Sequence, residues 1–294
     1  ADVGGEAPGS MPAHATRVDQ EGHIVSPMPA VHDGVWLDGF LCPFLSATRT
    51  PAERLGDLSA QMGANKAGAR RIEELVAAEG VDDWHRVTAA LLSYGERRTA
   101  VAIKALPDGC YRFTDYLEWG EQDLPITVVV TISGDHLHAD FVGTANQIAG
   151  NINAVKAVTL SCLYYAVRVA TDPTIPANGG CYRPVTLKTE PGSIVDATRP
   201  AAVAAGNVET SQRIVDTLLK ALQLVAGSQG TMNNVLIGSD TAVYYETVAG
   251  GEGGYPYRPG QSGIHTGMTN TKNTPIESLE THYPFRVLRY ALRR

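Results

Sequence analysis

The stretch from Ile126 to Phe141 constrains the fold more than any other part of the chain. Ile126, Val128, Val130 and Ile132 alternate with Thr127, Thr131 and Ser133, which is the two-residue period of a strand with one buried face. Gly134-Asp135 supplies a two-residue turn, and Leu137, Ala139 and Phe141 alternate on the return. Two such runs around such a turn pair antiparallel. An isolated hairpin is marginal in water, so helices or further strands must cover its apolar face.

Helical patterns stand on both sides. Thr50 can cap a helix, Pro51 suits its first position and Glu53 completes a capping box. Leu55, Leu58, Met62, Ile72, Leu75 and Val76 form an interrupted apolar stripe, and Gly80 is a stop. Asp82 or Asp83 opens a second helix carrying Val87, Leu91 and Leu92, which runs to Lys104 before Leu106-Pro107-Asp108-Gly109 turns the chain. The first fifty residues hold Pro8, Pro12, Pro27 and Pro29 and read as loops and short extended pieces without a helix. Residues 153–171 are apolar nearly all round and predict a buried helix. Residues 184–195 read as a hairpin turning at Pro191-Gly192, and Glu209 to Ala226 as a helix. Strand signals return at 235–237 and 243–248. Helices and hairpins interleave without a βαβ rhythm, so the expected class is α+β, with mixed, largely antiparallel sheets and packed helices. One region spans 1–294, with a candidate sub-boundary near residue 108.

Composition narrows the function. With 44% apolar and 19% charged residues, the 294-residue chain is that of a folded globular protein. A net charge of −7 argues against nucleic acid, whose phosphates call for clustered Lys and Arg. No apolar run approaches the roughly 20 residues of a membrane span. Cys42, Cys110, Cys162 and Cys181 are far apart, which fits reduced thiols in a cytoplasmic protein.

Four polar, mostly glycine-containing segments crowd the last third: 206–212, 228–234, 244–251 and 265–271. Glycine admits close approach of backbone to a ligand, while Asn, Thr and Gln offer neutral donors and acceptors. Taken singly each is an ordinary turn; together they predict loops walling one cavity. The candidates are Glu209 and His265 for catalysis, and Asn207, Thr210, Asn233 and Asn270 for substrate. Asn207 can equally cap a helix whose first turn holds Glu209, and a lone His265 can be structural. Near the start, Asp2, His14, Glu21, His23 and His32 mix carboxylate with imidazole, a donor set suiting Mn, Zn or Fe; surface histidines in loops are the alternative. Gly250 to Gly254 is followed by Tyr255-Pro256-Tyr257-Arg258-Pro259 instead of the helix a dinucleotide fingerprint requires. The sequence has neither a phosphate-binding G-x-x-x-x-G-K-[ST] loop nor a G-x-S-x-G nucleophile elbow.

Asp2-Val3-Gly4-Gly5 with Pro8-Gly9-Ser10-Met11-Pro12, Glu21-Gly22, Asp57-Leu58-Ser59-Ala60-Gln61, Ala64-Asn65, Asn178 to Pro184, the four late segments and Asn273-Thr274-Pro275-Ile276-Glu277 together resemble the hydantoinase B/oxoprolinase family over essentially the whole chain. That family's proteins are longer, and the chain resembles a middle fragment: an Asn-Asp-Pro segment, a His-His pair and a glycine-rich C-terminal region have no counterpart here. Many relatives carry a second histidine where Gly267 stands. The resemblance implies an ATP-dependent hydrolase of cyclic amides, of the N-methylhydantoinase, 5-oxoprolinase or caprolactamase type; acetone and acetophenone carboxylases are related, and a non-catalytic scaffold is a further reading. It also implies a hydantoinase A-type partner that uses ATP to phosphorylate the substrate, in an oligomeric complex. A divalent metal is implied as well, with Asp2 as a ligand and His23 as a second candidate.

Overall fold

The computed structural model describes residues 2–238, 243–269 and 271–292. Its centre is a four-stranded sheet in the order β3 (Gly109–Trp119), β4 (Gln122–Ser133), β5 (His136–Asp140), β6 (Val185–Lys188). The hairpin read from the sequence is β4–β5, antiparallel with Ile132 opposite Leu137 and Val130 opposite Ala139. Strand β3 precedes it through a tight turn at Gly120, whose φ of +61 favours glycine. It pairs with β4 along its whole length, Gly109 opposite Ile132 and Trp119 opposite Gln122. β4 is therefore an inner strand, which is why Ile126, Val128, Val130 and Ile132 are almost wholly buried.

The predicted hairpin at 184–195 does not form. β6 joins the sheet parallel to β5, Leu137 opposite Val185 and Ala139 opposite Leu187. Ile194 and Val195 then leave the sheet and are fully buried. The Ile194 N–H donates to Ala145 and its carbonyl accepts from Ala154. Burying two β-branched side chains under the loops outweighs local hairpin pairing, at about 1.5–3 kcal/mol for each side chain removed from water.

Helix α6 (Thr210–Ala221) lies across β3 and β4, and α5 (Lys156–Ala170) packs beside it. Nearly every residue of α6 is buried. Leu218, Ile214 and Val215 meet the core formed with Phe141, Leu163 and Val128. The predicted buried helix is α5, with Cys162, Leu163, Ala166 and Val167 inward.

The expectation of a helix-free start is corrected. A short α1 (Val18–Glu21) is followed by a two-stranded hairpin, β1 (Val31–His32) and β2 (Val35–Trp36), and then by α2 (Asp38–Ser46), with Pro43 inside it. Trp36, Phe40 and Phe44 stack at four-residue spacing, with ring centroids 6.1 and 5.7 Å apart. This (i, i+4) ladder recovers only a part of what the interior proline costs the helix.

α3 (Pro51–Glu79) begins and ends where the sequence places it. Its capping box is absent: the Thr50 hydroxyl is buried without a partner, and Glu53 pairs with Arg54. No residue of α3 is buried, and Ile72 and Leu75 are about half exposed. α3 and α4 (Val81–Lys104) form an arm, joined at Gly80 with φ +86; α4 buries only Gly95, Thr99 and Ile103. The arm's base is seated by the glycine segment at 178–181. Asn178 Nδ2 donates to Leu91 O at 3.2 Å, and a Cβ on Gly180 would overlap that same helix's backbone at Leu92. The remainder is the hairpin β7 (Asn234–Gly238) with β8 (Val243–Thr247), the short pair β9 (Gly250–Gly251) with β10 (Ser262–Ile264), and α7 (Ile276–His282). No described helix is long and apolar enough to cross a membrane.

Candidate functional site

The N-terminal turn of α6 is where the distant segments meet. Asn153 is fully buried below it and gives Nδ2 hydrogen bonds to the carbonyls of Ile148, Gly150 and Ala202. Gly206 lies against the Asn153 carbonyl so closely that a Cβ would overlap it. Thr210 donates its hydroxyl to the Ile152 carbonyl and is wholly buried. Its hydroxyl proton, expected to face substrate, is spent inside the fold. Asn207 does not cap α6; Glu209 occupies that position without a side-chain cap. Asn207 instead ends the 3-10 turn Ala204–Asn207, and its carbonyl accepts from Ser211 Oγ at 2.6 Å.

Around this turn the candidates separate. Asn207 is exposed and lines an open cavity of about 300 Å3 with Ser161, Ser211, Met232 and Met268. Glu209 faces the second polar segment, accepting from Thr231 Oγ1 at 2.8 Å. Burial pushes its carboxyl above the usual range, against the opposing pull of Thr231 and Arg213. The Glu209 charge also reaches Tyr245, and Tyr245 lines a small cleft with Asp2, Thr50 and Arg54. Asn233 is exposed, at φ +50, on the turn before β7. Asn270 lies outside the described residues.

His265 lines a different cavity, of about 200 Å3. The expectation of one common cavity is thus corrected: α6 and the segment 265–268 divide the space, with His265 on one side and Asn207 on the other. The divider is held by a residue the motifs contained but whose role was not read, Gln212. It is almost completely buried, donates Nε2 to Thr266 O at 3.0 Å and accepts from Met268 N at 3.1 Å. Gly267 sits between these bonds at φ +61, where a Cβ would overlap Gln212 Oε1. A second histidine at 267 is incompatible with this latch.

The His265 cavity has an aliphatic wall of Val169, Val215, Leu219, Leu224, Val225 and Ile264. Its polar side carries Tyr165, Asp216, Ser228, Glu252 and Thr266. Among the described residues, neither ring nitrogen of His265 nor Thr266 Oγ1 has a hydrogen-bond partner, although all three atoms are buried. Asp216 accepts from Ser228 N at 2.9 Å and Ser228 Oγ at 3.0 Å, and burial pushes its carboxyl up despite Ser228, Lys220 and Arg213. An acid on the apolar stripe of Val215, Leu218 and Leu219 was the available sequence signal for this cavity.

The amino-terminal candidates do not fit a metal as they stand. Asp2 is buried, but Oδ1 accepts from Gly4 N at 3.0 Å, and Oδ2 from Gly9 N at 3.0 Å and Arg49 Nη1 at 2.9 Å. Burial alone would raise its pKa, yet these three donors hold it below the ordinary aspartate range. The His23 side chain is exposed, and its backbone N–H pairs with Val3 O. Among the described residues, no three His, Cys, Asp or Glu side chains gather as a metal site. Glu21 is buried and spans 182 residues to accept from Val203 N and Ala204 N at 2.8–2.9 Å.

The fold and the clustered polar loops define a class, and comparison with known proteins identifies it. The chain belongs to the hydantoinase B/oxoprolinase family, whose model matches residues 1–294. It is 33% identical over 306 residues to 5-oxoprolinase of Dictyostelium discoideum, covering all of this chain and 24% of that protein. Among solved structures it resembles the ATP-dependent caprolactamase from Pseudomonas jessenii, with TM-score 0.88, 25% identity, and coverage of 99% of this chain and 53% of that one. An acetone carboxylase shares the fold, with TM-score 0.84 and 17% identity over 96% of this chain and 42% of that one. The chain thus spans about a quarter to a half of these relatives.

Proposed function

We propose that this chain is the B-type component of an ATP-dependent hydrolase of cyclic amides, completing hydrolysis of a substrate that a hydantoinase A-type partner has activated by phosphorylation. The observation that supports it most is likeness over the full chain, in sequence to a 5-oxoprolinase and in fold to an ATP-dependent caprolactamase. Both names describe ring amides, and the relatives' extra length leaves room for an ATP-using part.

The chemistry accounts for the division of labour. Amide resonance makes ring opening slow, and phosphorylation of the amide oxygen removes that resonance. Water then adds to the activated carbon and gives up a proton, and the ring nitrogen gains one as the C–N bond breaks; the acyl phosphate left behind takes a second water and releases the carboxylate and inorganic phosphate. His265 lines the cavity and is the candidate for both transfers. Tyr165 lines the same space and supplies a neutral donor for developing charge. Glu209, with its raised proton affinity, serves the Tyr245 side of the α6 terminus. Asp2 holds Arg49 and the amino-terminal turn in place, and no step is routed through a metal there.

The test uses the full-length protein with its partner and ATP, offered hydantoin, 5-oxoproline, caprolactam, and acetone with bicarbonate. Ring-opened amino acid formed with ADP is the expected product. Carboxylated ketone as the sole product, or no turnover in any mixture, would refute the hydrolase assignment.

A further inference from the structure

Strand β3 is the outermost strand of the central sheet, and its free edge is unpaired. The two-residue turn at Gly120 and Glu121 makes Trp119 and Gln122 a hydrogen-bonded pair. Counting back along the ladder, Leu117, Asp115, Phe113 and Tyr111 turn their amides and carbonyls toward β4. Cys110, Arg112, Thr114, Tyr116 and Glu118 turn theirs away from it. Among the described residues, no backbone group takes up these outward amides and carbonyls. One amide of the five is used within its own strand: Tyr116 N donates to Asp115 Oδ1 at 2.9 Å. α6 covers one face of β3, while Cys110, Arg112, Tyr116 and Glu118 are exposed on the other.

Proteins usually blunt such an edge with a short strand, a proline, a bulge or a covering element. At the far side of the sheet β6 has four residues and follows Pro184. β3 has eleven residues, no proline, and pairs with β4 without a bulge. Its side chains complement a second copy of the same strand. Antiparallel pairing centred on Asp115 sets Arg112 opposite Glu118 of the second copy and Thr114 opposite Tyr116, each twice by symmetry. All four are outward residues, so their free amides and carbonyls meet in the same register. On the α6 side that register sets Phe113 opposite Leu117 and Tyr111 opposite Trp119, which are apolar and aromatic pairs. Asp115 meets its own image, but Lys220 and Arg213 of the same chain neutralise each copy. Sliding the register by one pair in either direction moves Arg112 to Tyr116 or to Gly120 and loses the charge match.

We propose that β3 is an association edge, through which two copies of this chain pair antiparallel about Asp115 and join their four-stranded sheets into one continuous sheet. The pairing is independent of the hydrolase reading.

Sedimentation equilibrium of the full-length protein across a concentration series tests it, with hydrogen exchange read at both ends of the series. A concentration-dependent dimer is expected. The Arg112 and Thr114 amides should exchange rapidly in the monomer and become protected in the dimer, while the Phe113 amide, bonded to β4, is protected in both. Arg112→Glu sets acid against acid at both symmetry-related pairs and should weaken the dimer at least about tenfold. Glu118→Arg should do the same, and the two exchanges combined should restore the dimer to within about threefold of the parent. Both side chains are exposed, so the variants should keep the fold, which circular dichroism checks. A protein that stays monomeric, a dimer indifferent to either charge reversal, or reversals that the combined exchange does not rescue would overturn the proposal. A Thr114 amide protected in the monomer would overturn it too, because the edge would then already be covered by another strand.

Discussion

Gln212→Met tests whether the segment 265–268 is held by the latch described above. Methionine keeps the length and apolar stem of glutamine but carries no amide. The substitution removes the bonds that Thr266 O and Met268 N make at 3.0 and 3.1 Å. Thr266 O still accepts from Thr269 N and Thr269 Oγ1, so its lost bond should cost about 0.5–1 kcal/mol, whereas Met268 N, in a half-buried loop that can recruit water, should cost about 1–2 kcal/mol. The total is then about 1.5–3 kcal/mol. For a chain of 294 residues, an unfolding entropy of about 0.6 kcal/mol/K converts this to a melting shift of about 2–5 °C. Urea titration gives the free energy, and hydrogen exchange at the Met268 amide reports the latch directly. In the parent that amide should be protected; in the variant it should exchange freely while the β4 amides do not. If stability changes by under about 0.5 kcal/mol and Met268 stays protected, the loop is held by something else, and the account of why Gly267 is glycine falls with it.

Three other expectations are direct. Gly180→Ala drives a Cβ into the backbone at Leu92 and should cost about 1–3 kcal/mol; a variant as stable as the parent would contradict the described seating of the arm. Burial raises the Glu209 pKa, so its contribution to stability is full below the unfolded-state value of 4.5 and is lost as pH rises through the folded one. Glu209→Gln, which keeps an acceptor for Thr231, should therefore be at least as stable as the parent at pH 7, and a clear loss in thermal unfolding there would contradict that sign. In native protein, iodoacetamide should label Cys42 and Cys110, which are exposed, and spare Cys181, which is buried, and Cys162, whose thiol burial pushes up to about 12; peptide mass spectrometry reads the pattern.

Local chemistry made much of the fold legible. The Gly134-Asp135 hairpin, the limits of α3 at Pro51 and Gly80, and the buried face of α5 follow from turn residues and periodicity. What stayed hidden depends on contacts distant in sequence. Nothing local in 184–195 shows that β6 pairs parallel to β5, because the deciding term is the burial of Ile194 and Val195 under other loops. The stripe on α3 reads as a core face, yet the described fold places it on an exposed arm. At the site, residue type drew attention to the segment around His265, but not to the partition that separates it from Asn207. That partition depends on one glutamine side chain, and its spacing from Thr266 in sequence carries no trace of the bond. Thr210 illustrates the converse: a hydroxyl that looks available is committed to Ile152 by tertiary structure.

The carboxylate of Glu21 has a consequence in time. Its acceptors' partners, the amides of Val203 and Ala204, are synthesised 182 residues later. Until then the opening segment has no destination for a charge that the finished molecule encloses. On a ribosome it must wait, while the β3–β5 meander, whose pairings are local, can already assemble. The beginning of this chain is thus among the last parts to settle, and the 3-10 turn ahead of α6 is completed by a residue translated long before it.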